Sequence, residues 1–305
     1  MSTLQDVLQL QLILFLLMLA GLVLTRRGVI TPAGRKCLTD LLIDLILPCN
    51  IICSFRIELD GSILRATALV LLIAFGIQLA CWALGKLLYR FAVESRRKVL
   101  QYATMCSNAG FMGNPIIEGI YGAQGLLYAS VYLIPLRFFM WSAGLSCFTH
   151  TTAKETLRKL ALHPCIIAVW IGFALMLTQA PLPGAIDRTL SYLSACTLPV
   201  SILIIGSILA GVKPGRVFHP LTLYFCAVRL IGIPLLTLLV CRLAQVDALV
   251  TGVCVVLAGM PAGSTTAILA EKYGGDAEYA SACVLVSTLL SLLTIPLLCW
   301  LMTAL

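Results

Sequence analysis

Helix-breaking residues interrupt two apolar stretches of this sequence. The first interruption reads NAGFMGNP at residues 108–115, and the second reads AGMPAGST at residues 258–265. Gly and Pro within a membrane-spanning helix leave backbone groups without hydrogen-bond partners, and such backbone is tolerated only where protein or a water-filled cavity surrounds it. Freed N–H groups can bind an anion, and freed carbonyls can bind a cation. The two interruptions therefore predict a solute-binding site.

The residue types within the interruptions indicate separate roles. The glycines and prolines open the backbone, and the asparagines offer polar groups. Asn114 can cap a new helix with Pro115 at its first position, and Ser264 or Thr265 can cap the corresponding helix in the second interruption. The alternative is that both stretches are kinks with small-residue packing surfaces, which are common in membrane helices. The candidate substrate-binding residues here are Asn108, Gly110, Gly113, Asn114, Pro115, Pro261, Ser264 and Thr265.

Ionisable and polar side chains also lie within apolar stretches. Asp44 is a candidate proton or cation site, or alternatively a structural partner of Arg137 or Arg229. Arg137 stays charged at any relevant pH, and it can bind a carboxylate substrate through two parallel hydrogen bonds or neutralise Asp44. Asn50 can line a cavity beside the interruptions or form a hydrogen bond between helices. Glu118 follows the first interruption by one turn and is predicted near the outer surface.

The composition is that of a polytopic membrane protein. Of the 305 residues, 60% are hydrophobic and 11% are charged, and the mean hydropathy is +1.02. A soluble domain of this size needs more charge on its exterior. The 13 cysteines lie mostly in apolar runs without CxxC pairs, so neither a metal site, a disulfide framework nor a cofactor is predicted. The first apolar segment lacks signal-peptide flanks and is predicted to be a span.

Apolar runs and their breaks predict an all-α protein with ten transmembrane helices. Fifteen of the 21 Lys and Arg residues fall in the loops after odd-numbered spans, and four fall in the opposite loops. Because cytoplasmic loops attract Lys and Arg, both termini are predicted to be extracytoplasmic in a cell membrane. The net charge of +8 needs no nucleic-acid partner to explain it. The predicted spans are residues 4–24, 35–55, 63–88, 99–120, 126–148, 163–179, 186–210, 218–243, 248–270 and 279–301.

Two short motifs recur in the two halves of the chain. YGAQGLLYAS at 121–130 follows span 4, and YGGDAEYAS at 273–281 follows span 9. LPCNII at 47–52 in span 2 corresponds to LPVSIL at 198–203 in span 7. The halves therefore align as residues 1–150, with spans 1–5, and residues 151–305, with spans 6–10. Five spans is an odd number, so the second half is predicted to be inverted relative to the first, as in many secondary transporters.

Three motifs together resemble the auxin efflux carrier family over essentially the whole chain. They are NAGFMGNPIIEGIYG in span 4, LILPCN in span 2 and GMPAGS in span 9. The resemblance implies two inverted five-helix repeats with spans 4 and 9 broken and crossing near the midplane, similar to sodium/proton antiporters and bile-acid symporters. The short loop between spans 5 and 6 is typical of bacterial carriers for malate, malonate or other carboxylates. The crossover motif then falls on Asn108, Gly110, Gly113 and Pro115, with Pro261 in the second half and Pro48 in span 2.

The sequence predicts a secondary active transporter of the efflux-carrier type for a small organic anion, a mono- or dicarboxylate. The anion would bind near Asn108, Asn114 and Ser264 and move by alternating access. The alternative is a sodium- or proton-coupled symporter or antiporter of the same fold for another organic solute, with Asp44 as the coupling site. The expected partners are the anion and the lipid bilayer, and no nucleic-acid partner is expected. The sequence does not decide whether the protein forms a homodimer. The chain contains no HExxH, GxGD or GxSxG motif, so an enzyme is not predicted.

Overall fold

The computed structural model describes residues 4–56, 61–148, 158, 161–162, 164–210, 219–273 and 275–304. Within these residues the named elements are fourteen α-helices joined by short π and 3-10 turns, and one isolated pair of residues forms a β-bridge. The helices are α1 Leu4–Arg26, α2 Pro32–Leu41, α3 Leu47–Ser54, α4 Gly61–Leu88, α5 Glu94–Met105, α6 Asn114–Phe139, α7 Pro164–Thr178, α8 Gly184–Ala195, α9 Thr197–Leu209, α10 Pro220–Ala227, α11 Ile233–Leu243, α12 Ala248–Ala258, α13 Thr265–Lys272 and α14 Ala277–Ala304.

Six helical stretches of the described chain are long and apolar enough to cross a membrane. They are Pro32–Ser54, Gly61–Leu88, Ala109–Cys147, Gly184–Ile208, Pro220–Leu243 and Ala277–Met302. Three shorter apolar helices, Phe15–Arg26, Pro164–Thr178 and Ala248–Ala258, accompany them. The chain is therefore an all-helical membrane protein. The count of ten spans stays a prediction, and the predicted repeat boundary at residues 150 and 151 lies outside the described residues.

Prolines determine the positions of three π turns, where the helix is wider than an α-helix. Each of these three turns lies immediately before a helix whose second residue is proline. The proline lacks an N–H, and its ring would clash with the carbonyl four residues earlier, so the preceding turn opens into the wider π geometry. The carbonyl that Pro48 displaces belongs to Asp44. The three turns and their prolines are Leu42–Ile46 with Pro48, Ala109–Gly113 with Pro115, and Val228–Gly232 with Pro234.

Two helix boundaries differ from the predicted spans. The predicted start at residue 35 is three residues late, because Thr31 caps α2 by accepting a 3.1 Å hydrogen bond from the Gly34 N–H. The predicted continuous span 186–210 is divided by a turn at Cys196.

The break predicted between spans 4 and 5 coincides with Gly122, whose φ of 65° and ψ of −158° interrupt the helical backbone of α6. This φ favours glycine, which has no Cβ.

The helices pack as two groups. The first helix group comprises α1, α2, α3 and α7–α9: α1 packs against α9, and α3 packs against α7 and α8. A Cβ added at Gly21 would overlap the Leu203 carbonyl, and one at Gly206 would overlap the Met18 carbonyl, so two glycines let α1 and α9 approach closely. The second helix group comprises α4–α6 and α10–α14. The groups meet where α1 contacts α14, where α3 contacts α6 and where the π turn Ala109–Gly113 contacts α9.

Candidate functional site

The two interruptions lie side by side and pair with each other. The α5 helix ends at Met105, and Ser107 then faces Ala262 in an antiparallel bridge. The Asn108 N–H donates to the Pro261 carbonyl at 2.8 Å, and the Gly263 N–H donates to the Cys106 carbonyl at 2.9 Å. Each broken segment therefore satisfies backbone groups that the other one frees, which is the condition for non-helical backbone inside a membrane protein.

Arg229 holds the ends of the two helices that lead into this pairing. Its Nε donates to the Met260 carbonyl at 3.0 Å, and its Nη1 donates to the Thr104 carbonyl at 3.0 Å. The side chain is only 1% exposed. Thr104 lies at the carboxyl end of α5 and Met260 follows the carboxyl end of α12, so the guanidinium offsets the partial negative charge of both helix ends. Arg229 thus bonds backbone carbonyls, whereas the sequence suggested it only as a partner for Asp44.

Side chains from two further helices support the pairing. The Ala262 N–H donates to Ser287 Oγ of α14 at 3.1 Å. The Tyr102 hydroxyl donates to Thr265 Oγ1 at 3.2 Å, which ties α5 to the first residue of α13. The Thr265 hydroxyl, a predicted binding group, is therefore engaged by a tyrosine. Ser264 and Thr265 are half-buried beside the pairing.

The predicted helix cap at Asn114 is wrong. The chain re-enters helical structure at Ala109, and Asn114 has helical φ and ψ of −54° and −51°, so it is the first residue of α6 and not its cap. The π turn before Pro115 makes the helical structure begin at Ala109, six residues before the expected first helical residue, Pro115. Gly113 packs closely against α12, because a Cβ there would lie 2.6 Å from Leu257 Cδ2.

The side chain of Asn114 is buried and unpaired. It is 0% exposed, and within the described residues neither its Nδ2 nor its Oδ1 has a hydrogen-bond partner. Ser107 Oγ in the adjacent bridge is likewise buried and unpaired. A buried polar group without a partner costs about 1–3 kcal/mol, so these two groups favour a ligand or ordered water beside the pairing. Asn108, 8% exposed, lies next to Ser107.

Arg137 is a buried arginine of α6 that has no carboxylate partner among the described residues. A Cβ at Gly110 would lie 4.0 Å from Leu133 Cδ1, and Arg137 follows Leu133 by one helical turn. The guanidinium is 6% exposed, and no described acceptor bonds its Nη1. The charges of Arg137 and of Asp44 both act on the thiol of Cys165 in α7. Asp44 itself is exposed in its π turn, and no ion pair joins it to Arg137 within the described residues.

Asn50 bonds side chains of two other helices. Its Nδ2 donates to Glu118 Oε2 at 3.2 Å and to Ser194 Oγ at 2.9 Å. These bonds join α3 to α6 and α8, so the hydrogen bond between helices that the sequence left open is present. The sequence offered no signal for Ser194, although Glu118 follows Asn114 by one turn on the same face of α6.

The described residues contain no cluster of three metal-ligating side chains. The thirteen cysteines all lie in the described part of the chain as thiols.

Comparison with known proteins identifies relatives along nearly the whole sequence. A family model described as membrane transport protein matches residues 6–299. An uncharacterized transporter of Methanothermobacter thermautotrophicus is 28% identical, covering 92% of this chain and 93% of the relative. An uncharacterized transporter of Methanocaldococcus jannaschii is 24% identical, covering 95% and 97%. A protein named as a candidate malonate transporter of Rhizobium meliloti is 25% identical, covering 68% and 70%.

Proposed function

This chain belongs to the family of membrane transport proteins, the auxin efflux carrier family that its motifs resemble, and from that premise we propose that it is a secondary active transporter for a small organic anion. The substrate class is a mono- or dicarboxylate, moved by alternating access. The relative named for malonate transport is consistent with a dicarboxylate. Membership of this family indicates a transporter and not an enzyme.

The observation that carries the proposal is the unpaired polar chemistry beside the paired interruptions. The side chains of Asn114 and Ser107 are buried and have no hydrogen-bond partner among the described residues, and Arg137 brings a buried positive charge that no described carboxylate neutralises. An anion would satisfy all three, because a carboxylate accepts hydrogen bonds from amide, hydroxyl and guanidinium groups. Asn108 and Ser264 complete the proposed site on either side of the pairing.

The proposed architecture has ten spans in two inverted halves, residues 1–150 and 151–305, with both termini extracytoplasmic in the cell membrane. The packing of the helices into two groups supports a mechanism in which the second helix group moves against the first. The interruptions belong to the second group, so a bound anion would travel with them. The groups touch through α1 with α14, through α3 with α6 and through the π turn Ala109–Gly113 with α9, and these contacts would re-form at each half-cycle.

The energetics favour export without a coupled ion. An inside-negative potential drives an anion outward by about 2.3 kcal/mol per charge per 100 mV.

Uptake would need a proton or sodium, and a coupled carrier of the same fold is the second candidate because Asp44 is exposed in a π turn close to Cys165 and Arg137. Arg229 already occupies carbonyls at which a cation would bind, which favours a proton over sodium in that candidate.

The test is a thermal-shift screen of purified protein against mono- and dicarboxylates at two pH values, followed by counterflow of the best ligand in proteoliposomes. Asn114→Ala is expected to weaken binding about tenfold or more, since a hydrogen bond to a charged group contributes about 1.5–3 kcal/mol. Thr237→Ala is the matched control, because this buried hydroxyl bonds only the Ile233 carbonyl of its own helix. Equal ligand affinity in both variants would contradict the proposed site. Sodium and pH gradients, applied separately, then decide between the uncoupled and coupled candidates.

A further inference from the structure

A second polar cluster joins the two helix groups, one helical turn after Asn114 on α6. We call it the Glu118 cluster, and it consists of Glu118 on α6, Asn50 on α3 and Ser194 on α8. The Asn50 Nδ2 group donates to Glu118 Oε2 at 3.2 Å and to Ser194 Oγ at 2.9 Å. Asn50 is 0% exposed, and Glu118 is partly buried. The cluster therefore places a partly buried carboxyl group among α3, α6 and α8, at the boundary between the two helix groups.

Glu118 has no cationic partner within the described residues. The ion pairs there are Arg56 with Asp187, Arg96 with Asp276 and Lys98 with Glu94. The side chain that bonds the carboxyl group is the neutral amide of Asn50. An ionised carboxyl that is partly buried among apolar helices without a cation is costly.

The helices that pack against α6 bring few charges towards this carboxyl group. From α3 come the thiols of Cys49 and Cys53, and Cys53 interacts with Ser194 and with Arg56, which is itself paired with Asp187 of α8. The α7 and α12 helices contribute only thiols, at Cys165 and Cys254. The α8 helix, which carries Ser194, also carries Arg188 and Tyr192, and both of these side chains are exposed. The charged residues of α4 are Arg65 and Lys86, and those of α1 are Asp6 and Arg26, and each of these lies towards an end of its helix.

Asn50 has one unused hydrogen-bonding atom. Both hydrogens of its Nδ2 are engaged, but its Oδ1 is buried and accepts no hydrogen bond from the described residues. A protonated carboxyl is a donor, whereas an ionised carboxyl only accepts. A half-turn of the amide exchanges Nδ2 and Oδ1. The Asn50 Oδ1 can then accept hydrogen bonds from the Glu118 O–H and from the Ser194 hydroxyl. Asn50 can therefore form a hydrogen bond with Glu118 whether its carboxyl group is ionised or protonated.

We propose that Glu118, held by Asn50, is a proton-binding site of this protein and that its protonation state determines how firmly α6 is held against α3 and α8. The proton passes between water and a Glu118 carboxyl oxygen, and the Asn50 amide turns to match it. A hydrogen bond to an ionised carboxylate is about twice as strong as one between neutral groups. Proton uptake therefore weakens the contact between the two helix groups. The link to transport rests on the proposed function, in which the two helix groups move against each other. It assigns the coupling of protons to transport to Glu118 in place of Asp44.

Difference infrared spectroscopy of the purified protein between pH 8 and pH 5 tests the proton site without any substrate. Wild type is expected to show a protonated-carboxyl C=O band that is lost in Glu118→Gln and kept in Glu278→Gln, whose carboxyl is exposed in the first turn of α14. An unchanged set of carboxyl bands in Glu118→Gln would overturn the proposal. If that variant does not fold, Asn50→Ala keeps the carboxyl and must shift its band, and an unshifted band overturns the proposal equally.

Uptake of radiolabelled malonate into proteoliposomes tests the link to transport. A pH gradient is expected to change the wild-type rate severalfold and to leave the Glu118→Gln rate unchanged, while Glu278→Gln behaves as wild type. If Glu118→Gln keeps the wild-type response to the gradient, the coupling role is wrong. If wild type does not transport malonate at all, the result bears on the proposed substrate, and the infrared bands still decide the proton site.

Discussion

Replacement of Arg229 tests whether the paired interruptions depend on a buried charge. Arg229→Met keeps a long apolar side chain but removes the donors to the Thr104 and Met260 carbonyls, both bonded at 3.0 Å. Two buried carbonyls left unsatisfied cost about 1–3 kcal/mol each. Removal of a buried charge returns part of its desolvation penalty, so the lower part of the range applies. We expect a net loss of about 2–3 kcal/mol.

The assay is thermal unfolding of purified protein in detergent, followed by tryptophan fluorescence. A loss of about 2–3 kcal/mol corresponds to a drop of about 4–6 °C, at about 2 °C per kcal/mol for a large domain. Arg229→Lys is expected to fall between wild type and Arg229→Met. An ammonium group keeps the charge, but it lacks the planar fork with which the guanidinium bonds two carbonyls at once.

Arg137 provides the matched control. Its burial is similar, at 6% exposed against 1% for Arg229, but its Nη1 lacks a hydrogen-bond partner within the described residues. Arg137→Met should therefore leave the unfolding temperature unchanged or raise it, because it removes a buried charge without orphaning an acceptor. If Arg137→Met destabilised the protein as much as Arg229→Met, the reasoning that the carbonyl bonds of Arg229 stabilise the pairing would be refuted.

Three further substitutions test the packing and the site. Gly206→Ala should lower the unfolding temperature by several degrees, because its Cβ would overlap the backbone of α1, whereas Gly184→Ala, with nothing within 4 Å, should not; equal effects would contradict the close contact. Gly122→Ala should cost about 1–3 kcal/mol for strain at a φ of +65°, whereas Gly76→Ala within α4 should be neutral or stabilising, again by thermal unfolding. Asn114→Leu should leave the unfolding temperature of the ligand-free protein equal or higher while abolishing the carboxylate-induced shift, and a destabilised variant would indicate that the amide has a structural partner.

Features that depend on local chemistry could be predicted from the sequence. The high apolar fraction predicts a membrane protein, because so few charges cannot cover a soluble domain. Gly and Pro act on their own turn of helix, so the interruption at 258–265 was predicted where the structure has it, whereas the first break lies at residues 106–108, at the start of the predicted stretch 108–115. The start of α6 was misplaced, because Pro115 opens the preceding turn into π geometry and does not end the helix.

The partners of the site residues could not be predicted, because they are remote in the chain. Arg229 bonds Thr104, which lies 125 residues away, and Asn50 bonds Ser194 at a separation of 144 residues. Arg137 and Arg229 look alike in sequence, as single arginines within apolar stretches. Only the packing around them distinguishes a guanidinium that bonds two helix ends from one whose Nη1 has no described acceptor.

The sequence by itself determined that this chain is an all-helical membrane protein of a transport family and that its backbone is broken at two points, because hydrophobicity, proline and glycine act over a few residues. The tertiary structure alone decided that the two breaks pair with each other and that Arg229 bonds both helix ends. It also decided that Asn114 is buried with no hydrogen-bond partner in the described part of the chain. Hydrogen bonds reach about 3 Å, so they depend on which distant segments the fold brings into contact.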